Sequence, residues 1–215
     1  MKFISFICLA AVCLIASVIH VIFGSKKDGK GFVVRAITFS SIIIFSVVST
    51  YLRGLTNIVA LFISLSCCVL MLGEIIIEEN KKWLSKIFSA ISSALLLVAV
   101  VSLMEFKLFP LLGGLLCGLG FGFVSWAFNG EKKVINTCFD ITQFILICGS
   151  ISFGVINFLG NEKFLLSTII LAGCVLAFIG KFLDSLNKEN KVLNMVSRGF
   201  VSIGFALIAS STYFY

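Results

Sequence analysis

Eight largely apolar stretches, each roughly 20 residues long and each followed by a short charged turn, take up most of this chain, and a helix of that length crosses the hydrocarbon core of a bilayer. The predicted spans are Phe3 to Phe23, Phe32 to Leu52, Ile58 to Ile77, Ile87 to Leu103, Leu108 to Phe128, Phe139 to Leu159, Phe164 to Phe182 and Val196 to Tyr215. The turns leave no room for a soluble domain. Backbone amides in lipid find no water to bond, so each span must close its own hydrogen bonds as a helix. The expected fold is therefore all-α, a single polytopic transmembrane bundle of about eight helices over residues 1–215. A chain that is 60% hydrophobic with one proline is not a water-soluble globule, whose apolar share is about 45–50%.

A net charge of +7 raises the question of nucleic acid, but in so apolar a chain the basic turns belong beside anionic headgroups, and no nucleic-acid partner is expected. Assigning the turns alternately to two sides places Lys2, Arg53, Lys107 and Lys163 on one and the other 13 of the 17 cations on the opposite side. The positive-inside rule then puts both termini outside and the odd-numbered turns in the cytoplasm, as in a bacterial inner-membrane protein. Trp83, Trp126, Tyr51, Tyr213 and Tyr215 fall at or beyond span ends, where an amphipathic ring sits at headgroup level. The first span is too long for an ordinary signal-peptide core and is followed by three lysines, so it reads as a retained helix.

Cys8, Cys13, Cys67, Cys68, Cys117, Cys138, Cys148 and Cys174 lie in or at the edges of apolar spans with no CxxC among them, which is how cysteine is used as a small hydrophobe. No metal site or cofactor is expected. The single histidine, His20, has no partner motif and reads as a packing residue. Gly114, Gly118 and Gly122 form a small-residue stripe that lets helices approach closely in lipid, and this stripe predicts a central place for the fifth span.

Charges inside or at the ends of spans cost roughly 2.5–3.5 kcal/mol on insertion scales and persist where they pair or line a wet cavity. Arg35, Glu74, Asp140, Lys181, Asp184 and Arg198 qualify, and the topology gathers all six toward the cytoplasmic ends of their helices. One polar pocket opening to the cytoplasm would collect them. The competing reading is local: Lys and Arg snorkel to headgroups, and Lys181 and Asp184, three residues apart, can satisfy each other. Glu74, deeper in its span, calls for a partner such as Arg35 or Arg198. A weak internal echo links CVLMLGE (Cys68 to Glu74) with CVLAFIGK (Cys174 to Lys181), one residue out of register, each a glycine followed by an ionisable residue. Since these are the third and seventh spans, the echo suggests two parallel four-helix halves.

The stretches KKDGKGFVVRAITF (Lys26 to Phe39), SLSCCVLMLGEIII (Ser64 to Ile77), LAGCVLAFIGKFLDSLNKENK (Leu171 to Lys191) and SRGFVSIGFALIAS (Ser197 to Ser210), in an eight-span layout, resemble the YhhN family of lysoplasmalogenase-type membrane proteins. In that family the third span ends in Gly-Asp and the seventh in Ser-Asp, the acids forming the catalytic pair. Glu74 matches the first. Lys181 stands in place of the second, with Asp184 one turn further on; the family's Lys-Pro before span two survives as Lys30 followed by Gly31, and its span-four histidine and span-eight Tyr and Gln are absent.

The resemblance implies hydrolysis of the vinyl ether bond of a lysophospholipid drawn from the membrane. Glu74 would be the acid and Asp184 or Asp140 the water-activating base, a division of labour that two carboxyl groups with separated pKa values can support. Lys30, Arg35, Lys181 and Arg198 would bind the substrate, since arginine's fork matches phosphate oxygens. Lysine at position 181 weakens a neighbouring carboxylate as a base. Two alternatives therefore stand beside the hydrolase: a degenerate, non-catalytic family member, and a carrier or binding protein for a small anion or lipid.

Overall fold

The structure is a computed structural model that describes residues 29–53, 58–75, 82–102, 108–129, 134–160, 164–186 and 191–214, together with scattered positions between Cys8 and Phe23. Every described residue is helical. Seven continuous helices are found among the described residues: α1 (Gly29–Arg53), α2 (Ile58–Ile75), α3 (Lys82–Ser102), α4 (Leu108–Asn129), α5 (Val134–Gly160), α6 (Phe164–Leu186) and α7 (Lys191–Phe214). Five of them, α3 to α7, are long and apolar enough to cross a membrane. Their outward faces leave Phe109, Leu116, Phe123, Ile135 and Leu165 exposed, apolar surface suited to lipid. The first expected span lies mostly outside the described residues. At one of its described positions, the Ala16 carbonyl accepts a 2.9 Å hydrogen bond from Thr38 Oγ1 of α1.

Several helices overrun their apolar stretches by about a turn, and at one end only. Helix α3 begins at Lys82 and not Ile87, α5 at Val134 and not Phe139, and α7 at Lys191 and not Val196, while α6 continues past Phe182 to Leu186. A hydropathy reading stops where polar and charged residues accumulate. The backbone does not, because lysine and arginine stems can lie along an apolar surface while their heads reach polar ground.

Helices α1, α2, α3, α5, α6 and α7 touch in that order and α7 returns to α1, closing a ring; α2 also reaches α7 across it. The shared core draws Ile42 from α1, Ile63 and Cys67 from α2, Leu96 and Val100 from α3, Ile170 and Cys174 from α6, and Phe205 and Ile208 from α7. In lipid this packing is held by dispersion and close fit, not by exclusion of water. Ser66 and Ser92 add a reciprocal clasp between α2 and α3, each hydroxyl donating to the other's carbonyl at 2.7 and 2.8 Å.

Helix α4 stands outside the ring against α5 and α6, so the central place expected for the fifth span is corrected. The glycine stripe is real but serves one neighbour. A β-carbon on Gly114 would come within 2.7 Å of the Cys148 carbonyl oxygen, Gly118 abuts the backbone of Phe144 and Ile145, and Gly122 abuts Ile141, all on α5. A second backbone-to-backbone contact joins α6 and α7, where a β-carbon on Gly204 would lie 2.6 Å from the Gly173 carbonyl oxygen and one on Gly180 the same distance from that of Ser197.

Helices α2 and α6 bury matching series of residues. Val59, Ile63, Cys67, Leu70 and Gly73 on α2 correspond to Leu166, Ile170, Cys174, Ala177 and Gly180 on α6, all buried. Counted from the glycine, Cys67 and not Cys68 matches Cys174, which removes the one-residue slip in the sequence echo.

Candidate functional site

The site begins from an ion pair that joins two ring helices. Lys86 lies near the start of α3, in the turn that precedes the apolar run, and Asp140 lies near the start of α5. Lys86 Nζ and Asp140 Oδ2 are 2.6 Å apart, with the two side chains 19% and 24% exposed. One turn further into α5, Gln143 Nε2 donates a 3.2 Å hydrogen bond to the Lys86 carbonyl. Hydrogen bonds to charged groups contribute roughly 1.5–3 kcal/mol. The contact therefore fixes α3 against α5 in both position and rotation. In the sequence Lys86 reads as one more cytoplasmic-side cation, because it immediately precedes the apolar span that begins at Ile87.

The α6–α7 hairpin supplies the second group. Gly180 brings the end of α6 onto the Ser197 carbonyl of α7. Lys181 and Asp184 on α6 and Arg198 on α7 are therefore gathered at one end of one helix pair, all three half-buried. Asn194, one helical turn before Arg198, carries a buried side-chain oxygen with no hydrogen-bond partner among the described residues.

On the far side of the ring, Gly73 presses against Phe88 and the Ser85 carbonyl of α3. That contact carries the backbone of Glu74 to the turn that bears Lys86. The side chains of Glu74, Arg35 and Lys30 lie outside the described residues, although the backbones of all three belong to α2 or α1. All the expected site residues thus sit on ring helices at the same end of the bundle. Of these, the structure brings Lys181, Asp184 and Arg198 into one hairpin and gives Asp140 to Lys86.

An aromatic cluster lies about one turn inward from Asp140 and Lys181. Phe178 and Phe182 stack on α6 at 6.2 Å, and Phe121 of α4 and Phe144 of α5 meet Phe178 edge to face at 4.9 and 5.7 Å. Such pairs contribute beyond their burial, and here they tie the outlying α4 to the ring. The spacing of Phe178 and Phe182, four residues apart on one helix face, was the available sequence signal.

Among the described residues, no group of three or more His, Cys, Asp or Glu side chains is placed to hold a metal ion. The seven described cysteines carry free thiols. Cys67 Sγ makes a long, 3.9 Å contact to the Phe205 carbonyl across the ring. Set beside known proteins, the chain matches no family model, no curated protein and no solved structure.

Proposed function

We propose that this chain is a divergent YhhN-like membrane hydrolase that cleaves the vinyl ether bond of a lysophospholipid at the basic end of its helix ring. The observation that carries the reading is the placement of Glu74, Asp140, Lys181, Asp184 and Arg198 on ring helices at one end, facing the side that the cation count assigns to the cytoplasm. A lysolipid lying in the inner leaflet presents its phosphate at that depth, with the ether bond about one or two turns deeper, beside the aromatic cluster. The full architecture in this reading has eight spans, both termini outside, and a bacterial inner membrane as its home.

Two parallel four-helix halves are part of the proposal. Their support is the matched buried faces of α2 and α6, and a second match between SKIFSAISSALL on α3 (Ser85 to Leu96) and SRGFVSIGFALI on α7 (Ser197 to Ile208). In both segments Ser, a cation, Phe, Ile and Ala-Leu recur at the same spacing. Packing repeats as well: Gly73 meets the Ser85 carbonyl as Gly180 meets that of Ser197, and the ring contact of α3 with α5 is matched by that of α7 with α1.

In the reaction, the protonated Glu74 carboxyl delivers its proton to the outer carbon of the double bond and leaves an oxocarbenium ion. Water adds to that cation and Asp184 takes the water's proton. The resulting hemiacetal collapses to an aldehyde and a glycerophosphoalcohol, with one water consumed overall. The Lys86 pairing of Asp140 favours Asp184 over Asp140 as the base, since the Asp140 oxygen nearest Lys86 is already engaged. The same pairing gives weight to a second reading, in which the basic end binds an anionic lipid without turning it over.

The test is aldehyde release from a 1-alkenyl lysophospholipid by the purified protein in detergent. Release that Glu74→Gln abolishes, with the variant's melting temperature near the parent's, is the expected outcome. A folded, monodisperse parent that releases no aldehyde would leave the binding reading in its place.

A further inference from the structure

Helices α4 and α5 touch backbone to backbone, Gly114 against the Cys148 carbonyl and the Gly149 α-carbon, and Gly118 against Phe144 and Ile145. Beside this contact each helix carries one thiol: Cys117 precedes Gly118 by one residue, and Cys148 precedes Gly149 by one. Two aromatic rings fix the side of the contact on which the thiols lie. Phe121, one turn from Cys117, and Phe144, one turn from Cys148, both meet Phe178 of α6. The glycine contacts pair rising positions on α4 with falling positions on α5, so the helices are antiparallel. The step from Phe121 to Cys117 and the step from Phe144 to Cys148 therefore run in the same direction. The two thiols form the next rung after the two rings, within each other's electrostatic reach. Cys174, one turn from Phe178, is instead enclosed in the ring core.

The two thiols differ in access. Cys117 is exposed on the outer face of α4, within its apolar window, whereas Cys148 is buried. An oxidant dissolved in water does not reach a group at that depth in a bilayer, and one dissolved in lipid does. We propose that Cys117 and Cys148 are an oxidisable dithiol that closes to a disulfide as a membrane quinone is reduced to its quinol, and that the bond fixes α4 to the ring. Each thiol gives up one hydrogen, a bond forms between the two sulfurs, and the two electrons and two protons pass to the quinone. Lipid disfavours the thiolate through which such chemistry runs. A partner thiol held alongside compensates, because it acts at a high effective concentration. The product is neutral, so hydrocarbon tolerates it better than two ionisable groups. Its structural effect falls on α4, which stands outside the ring and is the least enclosed of the long apolar helices. The inference is independent of the hydrolase reading and of the two-half architecture.

The experiment incubates the purified protein, reconstituted in lipid, with a benzoquinone carrying a short alkyl tail, and maps disulfides by digestion and mass spectrometry without reduction. The expected product joins the peptide bearing Cys117 to the peptide bearing Cys148 within one chain, with one quinol formed per link. It should unfold roughly 5 °C above the reduced protein, a gain that dithiothreitol reverses. Cys117→Ser, a mild change at an exposed position, should slow quinol formation about tenfold or more and leave the Cys148 thiol free. The parent protein carries the mapping, so the result does not depend on how the variant folds. No link after exposure to quinone overturns the proposal. So does a link from Cys117 to Cys174, or to Cys117 of a second molecule. A Cys117→Ser protein that reduces quinone as fast as the parent overturns it as well, and a Cys117–Cys148 link that leaves the unfolding temperature unchanged overturns its role as a tether.

Discussion

The α4–α5 and α6–α7 pairs both bring backbone against backbone through glycine, yet α4 is the least enclosed of the five long apolar helices and α7 the most, with 22% and 50% of their apolar windows buried. The difference lies in what the rest of each helix touches. Helix α4 turns Gly114, Gly118 and Gly122 toward α5 and Leu112, Leu116, Phe123 and Trp126 outward. Helix α7 meets α6 through Gly204, then carries Phe205, Ile208 and Ala209 into the shared core and reaches α1 and α2 as well. A small-residue stripe thus reports one close neighbour and says nothing about how many others the helix has.

The largest effect should come from filling the inner contact. Gly204→Leu drives a side chain into the Gly173 carbonyl, and overpacking of this kind should cost about 3 kcal/mol and collapse the yield of monodisperse protein. Gly118→Leu should cost about 2 kcal/mol and act on α4 alone. Alkylation in detergent reads that distinction: Cys148, under α4, should become reactive while Cys174 in the ring core stays protected. Equal exposure of both thiols, or equal losses of stability in the two variants, would erase the contrast between the pairs.

A smaller effect is expected at the Lys86–Asp140 contact. Lys86→Met should lower stability by about 1.5 kcal/mol, and the exchange Lys86→Asp with Asp140→Lys should recover most of it. A double-mutant cycle on thermal unfolding checks this, and additive losses would reduce the pair to snorkelling side chains. Smallest is the hydroxyl clasp, where Ser66→Ala with Ser92→Ala should cost about 1.2 kcal/mol, at about 0.6 kcal/mol for each of the two interhelical hydrogen bonds removed.

Much of the fold was legible because lipid permits so little else: a run such as Ile58 to Leu70, or Leu165 to Phe182, has no conformation in hydrocarbon except helix. Helix ends were less legible, since Lys86, Lys191 and Asp184 look like loop residues to any reading based on hydropathy. Partner choice was the least legible. Gly114, Gly118 and Gly122 announced themselves by regular repetition, whereas the α6 contact alternates Gly173, Ala177 and Gly180 and meets its match only on another helix. For the site, the gathering of charge at one end could be read from turn composition. The Lys86–Asp140 pair could not, because it joins helices that are not consecutive in the chain. The likeness of α2 and α6 was half visible: the glycines announced it, but its register became clear only when the buried faces of the two helices were compared.

Everything proposed for the basic end requires that the two halves point the same way. In a background with the eight native cysteines replaced by alanine, Ser25→Cys and Glu131→Cys mark the turns after the first and fifth spans, and Thr56→Cys and Asn161→Cys those after the second and sixth. Labelling intact cells and inverted vesicles with a membrane-impermeant maleimide reads their sides. The account predicts that positions 25 and 131 react only from the cytoplasm, and 56 and 161 only from outside. Positions 25 and 131 on opposite faces would contradict it, because the ionisable residues of the two halves would then lie at opposite ends of the bundle.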